Sequence, residues 1–319
     1  MRLSQAVDGF LIARTADGYT INTLNIYRHH LKQMEDYLND PALESITPQD
    51  VQRFFAWLRD GYVPQRSDGN MRPLAPSTLN NAWCAIRSFY NWSLAELGVE
   101  RPGANPKQPR FERPQVTPFS LDEIKRLLGA AEYTAPATTE RRRPFRMRRP
   151  TALRDRALVL VLLDTGLRVS ECARLRVRDV TLETGQVYVM AHGTGRKTKS
   201  RHVYLGKAAR KAVWRYLAQR EHHPDDPLFV TVEGRPMDRH SIRLVFRRLG
   251  KRAEISGVYP HRFRHTFAIT YLRNGSDVFT LQRLLGHSTL DMVRRYLALA
   301  DADAATAHRL ASPVDRWHL

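Results

Sequence analysis

The sequence predicts a mainly α chain with one small antiparallel β-sheet, an α+β protein in two parts. Apolar residues recur at helical spacing through the first hundred positions, a proline-rich break then interrupts them, and further on two β-rich runs flank a turn of Gly, Lys and Arg. With 319 residues and 42% apolar side chains, the chain can fill two cores.

The helices of the first part follow one another closely. "TINTLNIYRHHLKQMEDYL" has a helical apolar stripe, "TPQDVQRFFAWLRD" opens on a Thr47 cap with Pro48 in the first turn, and "APSTLNNAWCAIRSFYNWSLAELGV" is a long amphipathic run. A small helical bundle over 1–102 follows. Five prolines in "RPGANPKQPRFERPQVTP" exclude regular helix, so 103–117 reads as a linker.

The second part, 118–319, begins at "SLDEIKRLLGAA", where Ser120 and Glu123 have capping-box spacing. "ERRRPFRMRRP" follows, with six arginines between 141 and 149; a like-charge run of this kind reads as a solvated loop or a phosphate contact. "TALRDRALVLVLLDTGLRVSECARL" is an apolar helix stopped by Gly166 and restarted near Ser170. "GQVYVMAHGTGRKTKSRHVYLG" is a hairpin, and more helices follow, the last starting near Ser288.

Charge points to the partner. The formal net charge is +19, and it is uneven: residues 1–100 are net −2, 101–150 net +7 and the remainder net +14. Such an excess favours a polyanion, nucleic acid before a membrane surface. No apolar run approaches the length of a spanning helix and the N-terminus lacks a signal-peptide core, so no membrane association and a cytoplasmic location are expected. Cys84 and Cys172 have no metal or disulfide spacing and read as buried, reduced thiols.

"HRFRH" at 261–265 permits three readings. His261 and His265 stand at i and i+4, a zinc-chelating spacing, but Arg262 and Arg264 would set cations beside a cation and no Glu follows the first His. The residues could otherwise form a basic helix surface, or part of an active site. Arg168 after a glycine chain reversal, His287 in "LLGHS" and Tyr296 in "DMVRRYLAL" favour the last. Together they suit attack of a tyrosine hydroxyl on a DNA phosphodiester, with Arg168 and Arg264 clamping the non-bridging oxygens and imidazoles or a turn lysine handling protons.

"TGLRVSE", "HRFRHTFAITYLRNGSDVFTLQRLLGHS" and "DMVRRYLAL" together resemble the signature of the tyrosine recombinase (phage integrase) family, relatives of the Xer recombinases. The resemblance implies a core-binding domain over 1–102 and a catalytic domain over 118–319. It also implies strand cleavage and rejoining through a covalent 3′-phosphotyrosyl intermediate, without cofactor, metal or small-molecule substrate. Carried onto this chain, Arg168 matches the first catalytic arginine, His261 and Arg264 the His-x-x-Arg pair, His287 the His or Trp position and Tyr296 the nucleophile, with His265 as support.

Two departures stand out. Relatives often read Gly-Lys-Gly in the hairpin turn, whereas this chain reads Gly193-Thr194-Gly195, leaving Lys197 and Lys199 to compete for the general acid; Lys197 is preferred, and Lys199 otherwise contacts DNA. The core-binding half is not net basic, so its phosphate contacts need a sorted face, with Arg28, Lys32, Arg53 and Arg87 as candidates. The partner implied is double-stranded DNA carrying a specific recombination site, held as two duplexes by a homotetramer at the nucleoid. A topoisomerase with the same chemistry, or a non-catalytic DNA-binding protein on the same fold, is the alternative.

Overall fold

The computed structural model describes residues 1–65, 69–100, 102, 108–109, 116–135, 137–139, 142–191 and 200–286, with Tyr296, His308, Ser312 and Val314; of 137–139 and 142–144 it describes the backbone alone. The chain is mainly α with a small antiparallel sheet. It divides into two compact units, the first over Met1–Gln115 and the second from Val116. Most of the expected linker, and the expected helix from Ser288, fall outside the described residues.

Four α-helices are described in the first unit: α1 (Leu3–Ala16), α2 (Ile21–Leu38), α3 (Pro48–Ala56) and α4 (Pro76–Leu97). Thr20 caps α2 and Thr47 caps α3, where Asp50 completes a capping box; Asn39 and Gly98 end α2 and α4 in the left-handed conformation. A π-helical turn, Trp57–Gly61, continues α3. Phe10 sits at the centre of the core, 5.7 Å from both Phe89 and Trp92 between ring centroids. Cys84 is exposed, not buried as expected, because it faces away from the stripe of α4 formed by Trp83, Ile86 and Tyr90; Cys172 is buried.

The second unit is built around α6 (Ala152–Thr165), whose apolar residues are buried against α5 (Leu121–Glu132), α8 (Lys207–Leu217) and α10 (Pro260–Arg273). Being covered on several sides, α6 reads as a nearly continuous apolar run. The Ser120–Glu123 capping box starts α5. Strands β3 (Val180–Thr181), β4 (Gln186–Val189) and β5 (Arg201–Tyr204) form the antiparallel sheet in the order β3-β4-β5. Val187 opposite Val203 fills the inner face, while Tyr188 opposite His202 faces outward. The unit also contains α7 (Val169–Cys172), α9 (Arg239–Ala253) and α11 (Val278–Leu285).

A second sheet corrects the single-sheet expectation. Strand β2 (Arg142–Phe145), inside the arginine-rich segment that reads as a loop in sequence, pairs antiparallel with β1 (Ala137–Thr139) just before it. The segment is tied to the end of α5, where Thr134 N–H donates to Met147 O at 2.9 Å and Arg149 N–H to Glu132 O at 2.9 Å. Arg149 also reaches inward to the fully buried Asp155 at 2.8 Å, which Arg154 pairs from its other oxygen. Part of this charge run therefore serves packing.

Candidate active site

The site grows from two helix ends. Gly166 ends α6 at φ +61° and Gly286 ends α11 at φ +63°. A Cβ on Gly166 would lie 2.5 Å from Phe267, and one on Gly286 would lie 3.0 Å from the Arg201 guanidinium, so both close approach and backbone call for glycine.

Helix C-termini leave carbonyls without intrahelical partners and carry partial negative charge. Two arginines take those of α11: Arg264 donates Nη2 to Leu285 O at 2.7 Å, and Arg201 donates Nε to Leu284 O at 2.6 Å. Arg264 also donates Nη1 to Gly166 O at 2.8 Å, so one guanidinium, 1% exposed, staples the ends of α6 and α11. Burial, with Arg168 nearby, pushes its pKa down to about 9. That value still leaves Arg264 charged at neutral pH.

Leu167 and Arg168 follow Gly166. Arg168 caps α7 and donates Nη1 to Glu171 Oε1 at 3.0 Å, and its backbone N–H donates to Glu171 Oε2 at 2.8 Å. Arg201 takes both Glu171 oxygens, at 3.0 and 2.9 Å. Burial alone would raise the pKa of Glu171, but hydrogen bonds and charge from Arg201, then Arg168, hold it at about 2. Two guanidinium groups thus bond to one carboxylate, and the charge of Arg264 acts on it from nearby, leaving a local excess of positive charge.

His261 stands exposed in the first turn of α10. Partial burial, then Arg264 and Arg168, lower its pKa. His265, one turn on, has its ring centroid 4.5 Å from that of His261 and 5.3 Å from that of Tyr296. Burial, His261 and Arg264 lower its pKa to about 4, so it is neutral at physiological pH. Tyr296 is 5% exposed and packs with Ala268, Ile269, Leu281 and Leu285. It is close enough to act on the charge of Arg264. Arg168, His261, Arg264, His265 and Tyr296 therefore gather in one place.

Other expected positions fare differently. Lys197, Lys199 and His287 lie outside the described residues. Arg28, Lys32, Arg53 and Arg87 are all exposed in the first unit. Lys32 is already paired with Glu35 at 2.5 Å and Asp36 at 3.2 Å, and Arg87 stacks on Trp83 at 5.1 Å. Arg262 turns from the cluster, stacking 3.9 Å over Phe119 and pairing with Glu123 at 3.0 Å, so "HRFRH" alternates inward and structural arginines.

Glu171 and Arg201 join the site without being among the sequence-predicted residues. Glu171 carried a local signal, the capping-box spacing from Arg168. Arg201 carried none, since its partners lie 30 and 83 positions away.

Buried guanidinium groups exceeding their carboxylates, beside a tyrosine, define a site for a phosphate-bearing substrate. Residues 119–303 match the family described as Phage integrase family, and residues 7–97 match Phage integrase, N-terminal SAM-like domain. The chain belongs to the phage integrase family and is a tyrosine-type site-specific recombinase of the Xer kind. It is 30% identical over 305 residues to tyrosine recombinase XerD of Corynebacterium glutamicum, covering 93% of each chain. It is 31% identical over 245 residues to tyrosine recombinase XerC of Yersinia pestis, covering 75% of this chain and 74% of that one. Among solved structures, its fold resembles the Tn1549 transposon integrase in complex with transposon right end DNA, with TM-score 0.71, 18% identity and full coverage of both chains. It also resembles a lambda integrase tetramer bound to a Holliday junction, with TM-score 0.67, 18% identity, and 91% of this chain and 78% of that chain covered.

Proposed function

We propose that this recombinase cuts and rejoins double-stranded DNA at a specific recombination site, with Tyr296 as nucleophile and Arg168 and Arg264 as the phosphate clamp. The observation that carries the reading is the seat of Tyr296 against His265, within reach of the charge of Arg264, 32 positions earlier.

Attack by the Tyr296 oxygen forms a bond to phosphorus and breaks the bond to the 5′ oxygen, leaving a 3′-phosphotyrosyl link and a free 5′ hydroxyl. Negative charge grows on the non-bridging oxygens as this happens, and preorganised guanidinium donors stabilise it there. Arg264 is held by two carbonyls before substrate arrives and Arg168 by Glu171, so little reorganisation is needed. His261, with its lowered pKa, is suited to exchange a proton with the phenol or to donate to a phosphate oxygen while neutral. Lys197, with Lys199 in reserve, is assigned the proton for the leaving 5′ oxygen, and His287 a phosphate contact. The 5′ hydroxyl of a second strand reverses the step, so the link itself conserves the phosphodiester energy.

Four protomers holding two duplexes complete the reaction, consistent with the lambda integrase tetramer on a Holliday junction that shares the fold. Among the described residues no helix is long and apolar enough to cross a membrane, and a DNA substrate places the protein at the nucleoid. The test is strand exchange. A site is first selected from random duplexes with the full-length chain, and two differently labelled duplexes carrying it are then mixed with the protein. Joint products bearing both labels are expected; relaxation of supercoils without joint products would assign a topoisomerase instead.

A further inference from the structure

The C-terminal ends of α5 and α9 meet at a cleft of about 300 Å³ whose lining includes Arg126, Tyr133, Arg146, Arg252 and Glu254. None of these residues belongs to the cluster around Tyr296. The two helices cap each other: Arg126 of α5 donates Nη1 to Ala253 O at 3.3 Å, and Arg252 of α9 donates Nε to Ala130 O at 3.2 Å. Arg149 supplies a third cation, donating to Ala131 O at 3.1 Å. Cations suit helix C-termini, and this much is structural.

The capping bonds leave donors over. Nη2 of Arg252 is buried and has no hydrogen-bond partner, a costly condition for a charged donor. Burial, then Arg149, lowers the pKa of Arg252, with Asp155 opposing and Arg248 adding to the repulsion. Asp122 engages Arg126 at 3.1 Å, and Glu254 is the only acid among the described residues of the lining. Arg146 stands exposed on the rim, in the segment that the Tyr133–Arg148 bridge ties to α5.

We propose that this cleft is a second anion site, taking a phosphate group on Arg146 and Arg252 with Arg126 beside them. Guanidinium forks bind phosphate oxygens in pairs, and three arginines against one acid among the described lining residues give the cleft the positive charge such a ligand needs. Arg126 lies one turn along α5 from Glu123, which holds Arg262, the neighbour of His261. At a rise of about 1.5 Å per residue, Gly129 in the cleft lies roughly 9 Å along the helix from Glu123. The phosphate is therefore either one on the duplex flanking the cleavage position or a free polyphosphate.

The test uses the full-length chain and two variants: Arg146→Ala, which removes an exposed side chain, and Arg252→Lys, which retains a cation at the end of α5. If DNA supplies the phosphate, Arg146→Ala lowers the slope of log binding constant against log salt by about 0.9, and Arg252→Lys weakens duplex binding at low salt. If a free polyphosphate supplies it, wild type binds pyrophosphate by calorimetry, both variants lose at least tenfold in affinity, and the DNA salt slope stays unchanged. Variants that keep the wild-type melting temperature, salt slope and pyrophosphate behaviour would overturn the proposal. Neither arm requires strand cleavage, so failure of Tyr296 as nucleophile would leave the result readable.

Discussion

Arg201 and Glu171 form a two-bonded ion pair, at 3.0 and 2.9 Å, with side chains 8% and 4% exposed. The pair joins strand β5 to α7, and because Arg201 also holds Leu284 O it fixes the end of α11. Glu171 thereby sets the position of two arginines, one structural and one assigned to the clamp. Glu171→Gln keeps the shape and removes the charge, leaving Arg168 and Arg201 to repel each other. Removing one partner of a buried pair costs about 3 kcal/mol, so a clear drop in melting temperature is expected. Cleavage should fall at least tenfold with duplex affinity little changed, measured by gel shift and single-turnover cleavage.

Arg264 is expected to separate charge from geometry. Arg264→Lys keeps a cation but cannot reach Gly166 O and Leu285 O together while facing a phosphate. Loss of one preorganised donor costs about 10²- to 10³-fold in rate, and cleavage by the folded variant should fall in that range. Arg264→Ala should also unfold more readily, because two buried carbonyls lose charged donors.

Arg262 provides the contrast, two positions away. Its stack on Phe119 and its bonds to Glu123 and Thr117 O bind the start of the second unit to α10. Arg262→Met should lower the melting temperature while leaving the single-turnover cleavage rate, measured well below that temperature, within about threefold of wild type.

The helices were legible in local signals: the Thr47 cap, the Ser120–Glu123 box and the stop at Gly166 each sit where the side chain or the positive φ acts. The cluster was legible too, since three short motifs carry Arg168, His261, Arg264 and Tyr296. What stayed hidden is held by distant partners. Strand β2 of the β1–β2 pair lies inside a charge run without alternation, and Arg201 acquires its role only when β5 meets α7 and α11. The exposure of Cys84 depends on which face of α4 is covered, and residue type alone does not decide that.

Acid should loosen the site in two stages. His265 has its pKa depressed from the ordinary 6.5 to about 4, so the native state resists a proton that the unfolded chain takes up. Its contribution to stability is complete above pH 6.5 and is lost as pH falls toward 4. Glu171, depressed to about 2, contributes above the ordinary carboxylate range and is lost below it. Melting temperature against pH should therefore decline from pH 6.5 to 4, and His265→Gln should flatten that window while leaving the decline below it.

Covalent trapping tests the role of Tyr296 most directly. The full-length chain is incubated in EDTA with a nicked duplex carrying its selected site, so that the strand released by cleavage diffuses away, and the mixture is resolved in SDS. The expected result is an adduct of protein and DNA formed by wild type and absent with Tyr296→Phe, while that variant still binds the duplex. An adduct that survives Tyr296→Phe, or none from wild type bound to its site, would contradict the assignment.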